Sequence, residues 1–500
     1  MDRPTRAVLW LILLLSGVLG FFALDRSPTI WFDEAAYLEP AWRLATTGSL
    51  RSYSQFDGGE LGMPFVGQVP LYSFFQAGVI KTIGLSVWTM RGSGVLLCLL
   101  SALLLFRILR RRLGDHAALV GVALVLFHPV VIAAMRSGRM DALAMALGCS
   151  SLVAFDRLAQ KGLLRWAVLG GVLMGLAILT HPAVAALVPA AVWLSRSESD
   201  PSFRRWMTSL ATAAVAGTLC LAPWLVYITW IAPQAYREQL GAAAELFQQR
   251  ELSRLALWFL RTRELIEGFR FFFLGVLAVP TALLITGLSR RMRPWMLVGA
   301  AAIGFHVFVM RGTITGQSHV ICALTFTVAA AARDLEERVR LLQRRRLALA
   351  VLGGLFLVNG LSVPGARAYV AARQFASRSP SDFARQWDAA IPAAATVAGP
   401  AYAFYAATRH NGNYRCISQL FPWKDPQQRW YREALCRAKL DYVVVPAGTK
   451  PSAFLAVDCP DGFSLTSRIR LPRAPIEGLV VESYDSDVYR RDGQTTRAHD

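Results

Sequence analysis

Acidic side chains are scarce in this 500-residue chain. Only 33 Asp and Glu stand against 53 Lys and Arg, a formal net charge of +20. Charged residues of both signs make up just 17% of the sequence, against about 25% in an ordinary soluble domain. So little charge on so apolar a chain excludes a disordered chain, a nucleic-acid arm and a collagen-like fibre. The seven cysteines are scattered and form no CxxC pair, which leaves no metal-finger pattern and no obvious disulfide framework. There is no P-loop, no internal repeat and no low-complexity run. What fills the chain is apolar: hydrophobic residues are 54% of it and the mean hydropathy is +0.39.

The apolar residues gather into runs long enough to cross a bilayer, which takes about 20 residues of helix. About eleven transmembrane helices are expected, near residues 7–24, 91–109, 117–134, 140–156, 163–180, 182–195, 207–231, 269–288, 295–310, 318–332 and 347–363. The first is preceded by Arg3 and Arg6 and followed by Phe21, Phe22 and Leu24 instead of a small-residue cleavage site, so it reads as an uncleaved span. Every second loop then collects positive charge: Arg110–Arg112, then Arg157, Lys161 and Arg165, then Arg196, Arg204 and Arg205, then Arg290, Arg291 and Arg293, then Arg333 to Arg346. The opposite short loops hold only Arg136, Arg139 and Arg311. This alternation places the N-terminus in the cytoplasm and the C-terminus outside. It also accounts for much of the +20 without a polyanionic partner, so no nucleic acid is expected.

The expected organisation is a membrane-embedded α-helical domain over 1–363 and a soluble α/β domain over 364–500 outside the membrane. The tail has a helical start at 366–376 and β-like stretches at 394–398 and 442–446. Its Cys416, Cys436 and Cys459 leave two readings equally open, one disulfide with a spare thiol or three buried thiols. Two further pieces lie outside: an amphipathic stretch, 232–268, and the loop 25–90 between the first two spans.

That loop holds the first candidate chemistry. From Trp31 to Leu44, apolar residues recur at helical spacing, as in a helix lying on a membrane surface, with Tyr37 among them. Asp33 and Glu34 sit at its start, where acids also serve plainly as dipole-complementing caps. A second apolar, aromatic stretch, Gly67 to Phe75 with Tyr72, is too short to span and reads as a re-entrant or interfacial helix that helps bind lipid. Asp141 follows Arg136 and Arg139 at the outer end of a span, where an ionisable group is costly and lines a cavity or pairs with a neighbour. His181 lies in an outer turn, Leu179-Thr180-His181-Pro182, and His319 opens another span. Each histidine alone reads as a hydrogen-bonded structural residue; two on the face that carries the acids raise phosphate or metal binding. A carboxylate base beside cations suits attack on a sugar whose leaving group is a phosphate. Asp33, Glu34 and Asp141 are also a set that can hold a divalent metal, although the cations nearby favour a metal-free site, and no cofactor is assigned.

Three segments together resemble a known family. They are Asp33-Glu34 with Ala35, Tyr37, Ala41 and Gly48; Pro70-Leu71-Tyr72 with Arg91 and Arg110-Arg111-Arg112-Leu113-Gly114; and Arg136 to Asp141 leading into Gly170–Thr180. In order and spacing they are similar to the GT-C membrane glycosyltransferases, in the branch of protein O-mannosyltransferases and the lipid A aminoarabinose transferase, over roughly residues 5–195. The resemblance implies an inverting enzyme that takes a hexosyl or pentosyl group from a polyprenyl-phosphate carrier at the outer membrane face. It implies Asp33 as base, with Glu34 and Asp141 in the same catalytic site. Arg136, Arg139, His181, Arg311 and His319 fall to the donor phosphate, and Tyr37 and Tyr72 to a lipid or acceptor groove. The implied partners are the lipid-linked donor, a glycan, lipid or protein acceptor, and membrane lipids. Three places depart from the family pattern: Gln68-Val69 before Pro70, His181 where Lys is common, and Ser318-His319 where an Arg-Tyr pair is common. Two other classes stay in view, a multi-span transporter or flippase and an inactive family-like scaffold. The many Arg and Ala residues point to a bacterial inner membrane.

Overall fold

Apolar runs, capped starts and prolines divide the chain into helices much as the hydropathy requires. The computed structural model describes residues 2–28, 30, 32–51, 64, 66, 69–196, 202–237, 293–305, 317–339, 365, 369, 372, 377–410, 414–417, 439–449, 462–472 and 484–492. The expected spans 269–288 and 347–363, nearly all of the amphipathic stretch and of the helical start at 366–376, and Arg311 lie outside them. So do Cys436 and Cys459, together with the side chain of Cys416, hence any disulfide among the three. The chain forms two compact units, one of residues 1–22, 93–226 and 251–368, the other of 23–92, 227–250 and 369–500.

The first unit is helical. Helix α1 (Arg3–Phe21) starts where the Asp2 carboxylate accepts the Thr5 N–H at 2.9 Å, with Pro4 in its first turn. It buries Leu9, Leu13, Ser16 and Gly20, while Trp10, Leu14 and Val18 form an exposed apolar stripe. Such a stripe is costly in water and fits lipid. Among the described residues, four helices are long and apolar enough to cross a membrane: α1, the helix α4 (Val87–Leu113), the helix α7 (Asp141–Lys161) and the segment Phe203–Ile231. Between α1 and α4 lie α2 (Phe32–Thr47) and α3 (Leu71–Ile83), which belong to the second unit.

Several expected spans are broken. The run 117–134 is two helices, α5 (Asp115–Phe127) and α6 (Pro129–Met135), because Pro129 has no N–H to donate back and His128 turns extended to cap the second piece. Helix α8 (Leu164–Ile178) ends before the Thr180-His181 turn. A 3-10 helix (Pro182–Leu187) then leads into α9 (Val188–Leu194). Helix α10 (Phe203–Val226), with Pro223 inside, passes into a π-helical turn, Tyr227–Ile231. The last two described helices of this unit are α11 (Arg293–Gly304) and α12 (Gln317–Val339).

Small residues decide the packing. A Cβ on Gly171 of α8 would stand 2.0 Å from the Ala213 carbonyl oxygen of α10, so the two backbones touch there. Ser151 Oγ of α7 donates to the Gly170 carbonyl at 2.7 Å. Helix α7 also meets α12, where the Cys149 and Cys322 sulfurs are 3.8 Å apart. These contacts pack α7 against α8 and α12, and α8 against α10.

The second unit joins α2, α3 and the first turn of α4 to a mixed five-stranded sheet. Its strands are β1 (Val397–Pro400), β2 (Tyr414–Ile417), β3 (Tyr442–Pro446), β4 (Phe463–Ile469) and β5 (Ser486–Arg491), in the order β2-β1-β3-β5-β4. The β1 strand pairs parallel with β2 and β3, while β5 runs antiparallel to β3 and β4. Helices α13 (Pro380–Ala390) and α14 (Phe404–His410) accompany the sheet. Its core is aromatic: Phe383, Trp387, Tyr402, Phe404, Tyr414 and Tyr484 are buried against one another.

Candidate active site

In the second unit the chemistry gathers at the start of α2. Asp33 and Glu34 occupy its first turn, where the free N–H groups favour negative charge. They differ in surroundings. Glu34 is fully buried, and Arg91 grips it with two hydrogen bonds, Nε to Oε1 at 2.9 Å and Nη2 to Oε2 at 2.7 Å. The same guanidinium donates from Nη1 to the carbonyls of Leu24 and Pro28, each at 2.8 Å. Tyr405, on α14, donates its hydroxyl to Glu34 Oε1 at 2.8 Å. Tyr484 accepts the Ile30 N–H at 3.0 Å, just ahead of α2. Burial first, then the Glu34 charge, push the Tyr405 phenol well above its ordinary value, so it stays a donor. Both Glu34 oxygens are thus engaged, and the plain capping reading does not describe it. Asp33, one residue earlier, is half-buried. Tyr37 and Tyr72 are both buried in this unit, Tyr72 accepting from Gln76 at 2.9 Å.

In the first unit a different cluster forms. Asp141 opens α7, after a turn in which Gly138 takes a left-handed φ of 56°. His181 caps the 3-10 helix, its Nδ1 accepting the Ala183 N–H at 3.1 Å. Ser318 and His319 lie in the first turn of α12. Ser318 donates to Asp141 Oδ1 at 3.0 Å, and Arg139 Nε lies 3.5 Å from Oδ2. His319 Nε2 is 4.0 Å from Oδ1, and the two imidazole rings meet edge to face with centroids 5.0 Å apart. All are buried.

The structure therefore brings Arg139, Asp141, His181 and His319 together. Arg136 is engaged elsewhere: its guanidinium donates to the carbonyls of Leu19 and Phe22, the latter at 2.7 Å, closing the end of α1. The roles of Arg91, Tyr405 and Tyr484 were not read from the sequence. An arginine at the mouth of an apolar run was the available signal for the first; nothing local marks the two tyrosines.

The fold resembles that of GT-C membrane glycosyltransferases, and the likeness read from residues 5–195 extends over nearly the whole chain. Residues 67–230 match the family described as dolichyl-phosphate-mannose-protein mannosyltransferase. The structure is similar to the crystal structure of ArnT from Cupriavidus metallidurans bound to undecaprenyl phosphate, with TM-score 0.60 and 16% identity over 96% of this chain and 97% of that one. It is also similar to the oligosaccharyltransferase AglB from Archaeoglobus fulgidus, in complex with an inhibitory peptide and a dolichol-phosphate. There the TM-score is 0.53 and the identity 12%, over 89% of this chain and 69% of that one. No curated protein sequence matches the chain.

Proposed function

We propose that the protein is a membrane glycosyltransferase that moves a sugar from a polyprenyl-phosphate donor to an acceptor hydroxyl at the outer membrane face, with inversion. Asp33 is the base in this reading. It stands in the first turn of a helix whose next residue is clamped by Arg91 and Tyr405, and this clamp is the observation that carries the proposal. A carboxylate held in one place beside a reacting hydroxyl needs no reorganisation as it takes the proton. Glu34 then positions Asp33, and Arg91 belongs to the same support.

The donor's phosphate becomes more negative as the sugar leaves. Arg139, His181 and His319, beside Asp141, are the groups assigned to bind that phosphate. Arg311 is carried over to the same task. Tyr37 and Tyr72 shape the wall of the lipid or acceptor groove. The proposed topology has about eleven spans, with residues 1–363 in a bacterial inner membrane, the N-terminus cytoplasmic and 364–500 outside.

The test uses membranes carrying wild type or Asp33→Asn and a panel of radiolabelled polyprenyl-phosphate sugars. Wild type should release label from one donor, and Asp33→Asn should do so about 10²- to 10⁴-fold more slowly. Equal rates would make Asp33 a helix cap. Lipid-independent flux would favour a transporter.

A further inference from the structure

We infer that Asp141, His181 and His319 form a binding site for one divalent transition-metal ion of the zinc class. The three side chains come from the starts of three helices separated by 40 and 138 residues of chain, and each offers a ligand atom within 4.8 Å of the other two. All three are buried. A carboxylate and two imidazoles at such mutual distances are the donor set of catalytic zinc sites, which use three protein ligands and keep a position open. Imidazole nitrogen selects zinc and its neighbours over magnesium, which prefers oxygen.

The state of the donors points the same way. His319 is fully buried, and neither of its ring nitrogens has a hydrogen-bond partner among the described residues. A buried imidazole in that condition is costly, and a metal bond satisfies the nitrogen that carries the lone pair. Asp141 keeps its Oδ1 oriented by Ser318, the kind of outer hydrogen bond that aims a ligating carboxylate. His181 Nδ1 accepts a backbone N–H, so the neutral ring carries its proton on Nε2 and the lone pair on Nδ1. Loading exchanges that cap of a six-residue 3-10 helix for the metal bond and leaves Nε2–H outside it.

Arg139 lies 3.5 Å from the same carboxylate, so a loaded site is net positive. The ion therefore binds best with an anion in its open position, and a phosphate oxygen has the right charge. That last role rests on the transferase reading; metal binding itself does not.

Full-length protein, purified in detergent and stripped with chelator, would be titrated with Zn²⁺ and, separately, Co²⁺, with and without inorganic phosphate. Wild type should take up about one ion per chain, show the visible absorption of cobalt in a low-coordinate nitrogen and oxygen site, and bind more tightly with phosphate. His319→Gln and Asp141→Asn should weaken uptake by at least about 10- to 100-fold, since even the loss of an outer hydrogen bond to a ligand costs that much. Size exclusion and melting of the stripped proteins show that the variants fold; if one does not, stoichiometry and the cobalt spectrum of wild type still decide. Wild type that takes up no ion, or a folded His319→Gln that binds equally well, overturns the site, whichever donors the protein consumes. Stoichiometric binding with no donor consumed supports the site and removes the transferase reading instead.

Discussion

At the scale of single residues, neighbours in sequence do opposite jobs. Asp33 and Glu34 look alike as text, and either could serve as base or cap. The fold separates them by burying Glu34 against an arginine that begins an apolar run 57 residues later. The acids and their helix were legible from local spacing, but the partner was not, because a buried ion pair leaves no periodic trace. A buried pair broken on one side costs about 3–5 kcal/mol, since the remaining charge is stranded. Glu34→Gln should therefore lower thermal stability in detergent by several degrees, and by more than Asp33→Asn, which removes one charge from the first turn of α2. If both melt alike, the division of labour between them is wrong. A pH effect belongs here too. The Tyr405 phenol, raised by burial and then by the Glu34 charge, holds its proton more tightly folded than unfolded. Its share of the stability is thus complete below the unfolded value, about pH 10, and is lost as pH rises beyond it. Melting followed from pH 8 to 11 should show a steep alkaline decline in wild type and a shallower one in Tyr405→Phe.

At the scale of elements, hydropathy finds the apolar runs but not their breaks. The expected span 117–134 is cut at Pro129, and 207–231 passes into a π turn after Pro223. Proline was visible in both runs; its consequence depends on whether neighbouring groups satisfy the freed carbonyls, which only packing decides. The expected stretches at 394–398 and 442–446 fall on or beside β1 and β3, which are buried and apolar. The strands β2, β4 and β5 are rich in Arg, Ser, Asp and Tyr, so they carry no sustained apolar alternation that marks a strand. Glycine carries the clearest prediction at this scale. Residues 170 and 171 are paired glycines inside an apolar run, and the structure supplies their partner. Gly171→Leu should push α8 off the Ala213 carbonyl and cost about 1–3 kcal/mol or more. A melting series through Ala and Leu at 171, with the same changes at the open position Gly78 as reference, measures it; equal losses at both positions would mean the contact is not tight.

At the scale of the molecule, the sequence divides naturally at the end of its last apolar run. Folding groups residues differently, because α2 and α3 share a compact unit with the C-terminal sheet more than three hundred residues away. Hydropathy cannot show this, since pairing between distant polar segments has no signature in either one. The consequence is mechanical. Tyr405 holds Glu34, and Tyr484 holds the Ile30 N–H at the entry to α2, so the tail is part of the support of the proposed base. Truncation after residue 368 should then leave the first unit's helices folded and loosen 23–92. Limited proteolysis of the truncated protein in detergent should cut within 23–92, and amide exchange there should accelerate, while α7 and α8 stay protected. Exchange protection in α2 that survives the truncation would mean the tail is an independent domain. In that case Tyr405→Phe should leave both kcat and KM untouched. If the support is real, Tyr405→Phe lowers kcat with little change in KM, because the misplaced Asp33 binds no substrate but must take the proton in the transition state.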